Sequence, residues 1–124
     1  MIKNEYTLKV DLKKKYSAVT PTFVQYDTAV LRFVITDDGK PLYFTGQTSI
    51  KTYHRRKDGV VVEGDARVET VKGQPHIVYE YKGNEMYQLG FVETSLVIYT
   101  NDKKVSIQPF NVKIVDNIYD DIAT

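Results

Sequence analysis

The sequence predicts an all-β fold, an antiparallel β-sandwich of immunoglobulin-like kind with about eight strands. Three observations carry that expectation. Apolar and polar residues alternate along most of the chain, which sends successive side chains to opposite faces of a strand. Turn signals such as Asp38-Gly39, Asp58-Gly59 and Lys72-Gly73 punctuate the alternation at short intervals. Helical periodicity is nearly absent, since only Asn84 to Leu89, NEMYQL, has room for a turn or so of helix.

The elements follow in order. In EYTLKVDL, Tyr6, Leu8, Val10 and Leu12 fall on one face. TAVLRFVIT groups Ala29, Leu31, Phe33 and Ile35, and sets Val30 and Val34 beside Arg32 on the other side, as in a central strand covered on both faces. The segment DDGKPLYFTGQT is too long for a tight hairpin and is expected to carry the chain from one sheet to the other. Ser49 to Glu63 reads as a hairpin with Asp58-Gly59 at its tip. ARVETV and IVYEYK flank the turn Lys72-Gly73-Gln74-Pro75. The closing pair is GFVETSLVIYT and VSIQPFNVKIV, joined by Asn101-Asp102-Lys103-Lys104. Its second strand changes phase at Pro109: Val105 and Ile107 are odd, whereas Phe110, Val112 and Ile114 are even. One extra residue, a β-bulge, produces that slip.

The 124 residues form a single domain, 1–124. Its core runs from about residue 4 to 118, and the tail 116–124 is expected to fray or to lead into a further C-terminal region. Seventeen basic residues against sixteen acidic ones leave a net charge of +1, which provides no electrostatic basis for nucleic acid or an anionic membrane as a partner. The absence of cysteine excludes disulfides and thiolate metal sites and fits a reducing cytoplasm. MIKNEYTLKVDLKKKYS lacks the apolar centre of a signal peptide, and no run reaches the length of a membrane span.

Reactive constellations do not emerge. His54 and His76 are the only histidines and lie on different hairpins, so no metal or other cofactor is expected. The tail DNIYDD, with Asp116, Asp120 and Asp121, lacks the glycine and terminal glutamate of a calcium loop. No serine sits in G-x-S-x-G. Glu80, Glu85 and Glu93 are the candidates for a glycosidase pair, yet Glu80 and Glu93 alternate with apolar residues as solvent-facing positions do. The run His54-Arg55-Arg56-Lys57 caps a hairpin; a solvated tip is the plain reading and a protein contact the functional one. Lys13-Lys14-Lys15 is read in the same way. Tyr79 and Tyr81 share a strand face, with Tyr99 able to join them. They either pack half-buried or form a protein or sugar-binding patch. Arg55, Arg56, Tyr79 and Tyr81 are therefore the candidate partner-binding residues, with no catalytic candidates beside them.

The stretch FVQYDTAVLRFVITDDGKPLYFTG, Phe23 to Gly46, resembles the opening of the N-terminal domain of the phage baseplate upper protein family of siphophages with Gram-positive hosts. The likeness lies in Phe23 and Asp27 before a long strand, Leu31-x-Phe33-x-Ile35, Asp38-Gly39-Lys40-Pro41-Leu42, and Thr45-Gly46. It extends through Lys57-Asp58-Gly59 to Phe110-Asn111-Val112-Lys113-Ile114 and covers about Asn4 to Ile118. The resemblance implies a structural, non-enzymatic virion protein of the tail baseplate, assembled in the host cytoplasm. It further implies a β-sandwich anchored against the distal tail protein and a C-terminal part that holds receptor-binding proteins, with self-association open. The alternative is a carbohydrate-binding module that engages the host cell wall through Tyr79 and Tyr81. A third reading is a glycan-cleaving enzyme using Glu80 and Glu93.

Overall fold

The computed structural model describes residues 4–14, 20–44, 48–101 and 103–118. Ten strands follow in sequence: β1 (Asn4–Asp11), β2 (Thr22–Val24), β3 (Ala29–Asp37), β4 (Lys40–Pro41), β5 (Ser49–Arg55), β6 (Val61–Val71), β7 (Gln74–Glu80), β8 (Gly90–Tyr99), β9 (Lys104–Ser106) and β10 (Phe110–Val115). A 3-10 turn, Asn84–Met86, stands between β7 and β8, where the sequence left room for one turn of helix. Residues 45–47 of the expected crossing segment DDGKPLYFTGQT, the turn residue Asp102, and Lys15, Asp120 and Asp121 lie outside the described residues.

The fold is all-β and mostly antiparallel, but it is not an immunoglobulin-like sandwich of two separate sheets. One hydrogen-bonded path runs β1-β3-β7-β6-β5-β8-β10-β2, with β4 on β3 and β9 on β8, and it curls into a nearly closed barrel. The strand that makes it continuous is β6. Its first half pairs β5, from Val61↔Arg55 to Ala66↔Ile50, and its second half pairs β7, from Arg67↔Val78 to Val71↔Gln74. VVVE and ARVETV are thus one strand, bent between the two partners. Both ends of the path are parallel pairs, β1 with β3 and β10 with β2, which also departs from the antiparallel expectation.

Chain connectivity brings those ends together. β2 closes one end of the path, β3 lies second from the other, and only residues 25–28 join them. At about 3.3–3.6 Å per residue, so short a link holds the two ends of the sheet close together. Gln25 N–H donates to the Val115 carbonyl of β10 (2.8 Å), and Asn4 N–H of β1 donates to the Thr28 carbonyl (3.0 Å). The link is therefore bonded to both margins of the seam.

Period-two alternation fills the barrel with apolar side chains, among them Leu8, Val10, Leu31, Phe33, Ile35, Ile77, Leu96, Ile98, Val112 and Ile114. Phe33 of β3 meets Phe110 of β10 edge-on across the interior, centroids 5.9 Å apart. The other face of β3 is only partly apolar: Val30 is buried, but Arg32 is held in an outer network. It donates to Glu5 (2.8 Å) and Glu69 (3.2 Å) and contacts His76 Nδ1 (3.1 Å). The bulge is where the phase slip placed it. Val97 faces Ser106 and Thr94 faces Phe110, so three steps along β8 match four along the partner.

Two turns show why their residues are there. Lys72 and Gly73 both take positive φ (50° and 78°), the two-residue hairpin geometry that right-twisted strands prefer. It is tighter than the four-residue connection read from the sequence. The hairpin tip Asp38-Gly39 is pinned from β1: Asp11 accepts hydrogen bonds from the Gly39 amide (2.7 Å), the Asp38 amide (3.2 Å) and the Thr36 hydroxyl (2.8 Å). Those amides, with that of Lys13, hold its carboxyl well below the usual carboxylate range.

Candidate interaction surface

The aromatic and ionisable residues divide between a sealed interior and an outer face. Inside, β7 and the residue that follows it turn Ile77, Tyr79 and Tyr81 inward in alternation, and β5 turns Ile50, Thr52 and His54 to meet them. Tyr79 is 1% exposed and His54 not at all. Their rings pack together, with centroids 4.8 Å apart for His54–Tyr79, 5.5 Å for His54–Tyr81 and 5.4 Å for Tyr79–Tyr81. Of the two readings of these tyrosines, packing is the one seen, because this alternation faces the barrel and not the solvent. Tyr79 is closed off from a partner or a sugar, and the partly buried Tyr81 packs its ring against Phe23, His54 and Tyr79.

A buried hydroxyl needs an acceptor, and the 3-10 turn supplies it. Glu85, fully buried, accepts from the Tyr79 hydroxyl and from the amides of Lys82 (3.0 Å) and Gly83 (2.9 Å). Burial, then the neighbouring Glu85, pushes the Tyr79 hydroxyl far above its ordinary range, and burial does the same to Tyr81. His54 Nε2 lies 2.9 Å from Thr52 Oγ1, and its Nδ1 finds no partner among the described residues. Desolvation, only partly offset by Glu85, lowers this histidine to about 4. His54, Tyr79 and Glu85 are each at most 1% exposed. They hold the β5, β7 and 3-10 segments together.

Gly64 of β6 is required by the same packing. A Cβ there would stand 2.5 Å from Tyr79 Cε1 and 2.7 Å from Thr52 Oγ1, both on buried side chains. We expect Gly64→Ala to cost about 2 kcal/mol by overpacking. It would be read as a lower urea midpoint; an unchanged midpoint would show that the ring has free space to move.

Outside, the arginines differ from each other. Arg55 is exposed and pairs with Glu93 across the β5–β8 ladder (2.5 Å). Arg56, expected to be a solvated tip, is only 12% exposed. It forks onto Asp58 (3.0 and 2.6 Å), donates to the Asn84 carbonyl (3.2 Å) and lies 5.1 Å from the centre of the Tyr87 ring. It clamps the β5–β6 tip to the 3-10 turn. Beside it stand exposed large apolar residues that the sequence reading did not select: Tyr26, Tyr87, Leu89 and Phe91. Phe91 was detectable, because Val92, Thr94, Leu96 and Ile98 claim the inward phase of β8.

The carboxylates proposed for glycan cleavage are not brought together. Glu80 is on β7 and Glu93 on β8, with β6 and β5 between them. Three strand spacings make about 14 Å along the sheet, beyond the roughly 5–9.5 Å of a glycosidase pair. Glu80 instead meets Arg67 (3.4 Å). Among the described residues no three His, Cys, Asp or Glu side chains gather as a metal site, and no helix is long and apolar enough to cross a membrane. The surface concavities include an open groove lined by Tyr43, Phe44, Val68 and Pro75.

Comparison with known proteins places this arrangement. No curated protein sequence matches the chain. Among solved structures it is similar to the N-terminal domain of phage TP901-1 ORF48, at 13% sequence identity and a TM-score of 0.66, over 90% of this chain and 98% of that one. That likeness is one of fold. The family model for the BppU N-terminal domain matches residues 4–124. The chain thus belongs to the BppU (baseplate upper protein) N-terminal domain family, and is a structural domain of the phage baseplate, carried in the virion tail among other tail proteins.

Proposed function

We propose that this domain is a non-enzymatic adaptor that anchors to the distal tail protein and links towards the receptor-binding proteins. One observation carries the reading: His54, Tyr79 and Glu85 are buried and pack with Tyr81 against the interior instead of lining an open site. What remains for function is the outer face of the barrel. Arg55 and Arg56 stay on the proposed contact surface, Arg55 through its exposed guanidinium and Arg56 by fixing the β5–β6 tip and Tyr87. Tyr79 and Tyr81 support that surface from within.

The test mixes the purified chain with the purified distal tail protein of the same phage at micromolar concentration. Co-elution on size exclusion is expected, and separate elution would sink the adaptor reading. Titration with host wall polysaccharide should leave the tyrosine fluorescence unchanged. A saturable change would favour a carbohydrate-binding module instead.

A further inference from the structure

Large apolar side chains stand outside the barrel at the end where β2, the β5–β6 tip, the 3-10 turn and the start of β8 converge. Tyr26, Tyr87 and Phe91 are each more than half exposed, and Leu89 is 42% exposed. Scattered apolar residues on a surface are ordinary; a contiguous group is not. Here they are joined. Gln25 Nε2 donates to the Met86 (2.9 Å) and Tyr87 (3.1 Å) carbonyls, which draws β2 and the adjacent Tyr26 against the turn. The Arg56 guanidinium covers Tyr87 and interacts with Tyr26 as well. The Lys57 stem lies 3.6 Å from the position of a Cβ on Gly90, between Leu89 and Phe91. Lys113 Nζ sits 6.0 Å from the Phe91 ring centre, opposite it on β10.

Charge selects the occupant. The ion pairs of this face are Arg55–Glu93 and Arg56–Asp58, which leave Lys57 and Lys113 without a carboxylate among the described residues. Of the acids near the patch in sequence, Asp58 and Glu93 are those held by the arginines and Glu85 is buried; Asp27 stands next to Tyr26, and Asp116 two positions before the exposed Ile118. Aromatic residues beside an arginine held in fixed geometry are the composition of interface hot spots. A second copy of the chain meeting the patch about a two-fold axis would bring the same cations face to face. We infer that this patch is the docking face for a protein segment that presents an apolar side chain flanked by carboxylates. The inference rests on the adaptor reading above and names the surface that performs it.

The experiment uses isothermal titration of the purified distal tail protein into three forms of the chain: unmodified, Tyr87→Ala with Phe91→Ala, and Lys57→Glu with Lys113→Glu. All four positions are on the surface, so the melting temperatures should stay near that of the unmodified chain. Loss of the aromatic pair should weaken binding about tenfold or more. Charge reversal should weaken it too, and should flatten the fall of affinity with added salt. If the unmodified chain binds and both variants bind equally well, the face is wrong while the adaptor role stands. If the unmodified chain does not bind, the adaptor reading fails and this inference with it. Sedimentation showing a dimer that either variant dissolves would make a second copy the occupant and overturn the acidic partner. Variant-sensitive binding of wall polysaccharide would overturn it as well.

Discussion

Replacing Glu85 by alanine should lower the unfolding free energy by about 3 kcal/mol or more. The carboxyl group is fully buried, yet it is the acceptor for the Tyr79 hydroxyl and for two consecutive amides, Lys82 and Gly83. Alanine leaves the buried Tyr79 hydroxyl and the two part-buried amides without this acceptor and opens a void beside the Tyr79 ring. An unsatisfied buried donor costs about 1–3 kcal/mol, and the void adds to it. Urea denaturation would show a lower midpoint with little change in slope. Tyr79→Phe removes one of the donors, so the double variant should lose less than the two single losses added together. A loss below about 1 kcal/mol for Glu85→Ala would mean that the amides find other partners, and the proposed role of the 3-10 turn would fall.

The second large effect is on pH. Acidification to about pH 4 should remove about 3 kcal/mol of stability through His54. The free imidazole titrates near 6.5, while the folded ring, desolvated between Tyr79 and Tyr81, titrates near 4. The unfolded chain therefore takes up this proton first. Above 6.5 the contribution is intact. Between 6.5 and about 4 it declines at up to 1.4 kcal/mol per pH unit, and below that it is gone. Asp11, a carboxylate with a lowered pKa, contributes stability that is present above its unfolded value of 3.8 and lost as pH falls further, so its loss comes in a more acid window. Urea midpoints followed from neutral pH into this window should decline for the native sequence and stay nearly flat for His54→Phe. Parallel curves would show that the imidazole is not the titrating group.

The bulge at Pro109 was legible because period two is a property of the backbone: a phase slip between Ile107 and Phe110 has few other causes. The β5–β6 tip was legible because an Asp-Gly pair brings its own turn geometry. The bend in β6 was not. Gly64-Asp65 reads locally as a break, whereas the glycine is there to let the Tyr79 ring lie across a continuous strand. Barrel or sandwich was equally hidden, since local alternation is the same in both and the difference lies in which distant strands pair. Ile77, Tyr79 and Tyr81 carried an inward pattern, but their fit depends on Glu85 reaching the Tyr79 hydroxyl from the neighbouring turn. The charges of Arg56 and Asp58 were plain in the sequence. Their mutual grip, and the hold on Tyr87, belong to the folded chain alone.

The β2–β10 pairing joins an early segment, Thr22–Val24, to one of the last, Lys113–Val115. Loop-closure entropy must be met before such a distant contact returns anything, so this ladder forms late and slowly. During translation Phe23 has no neighbouring strand on that side until the tenth strand has left the ribosome. The domain therefore closes only once its tenth strand is available, and a chain cut before β10 would retain an unzipped, aggregation-prone margin.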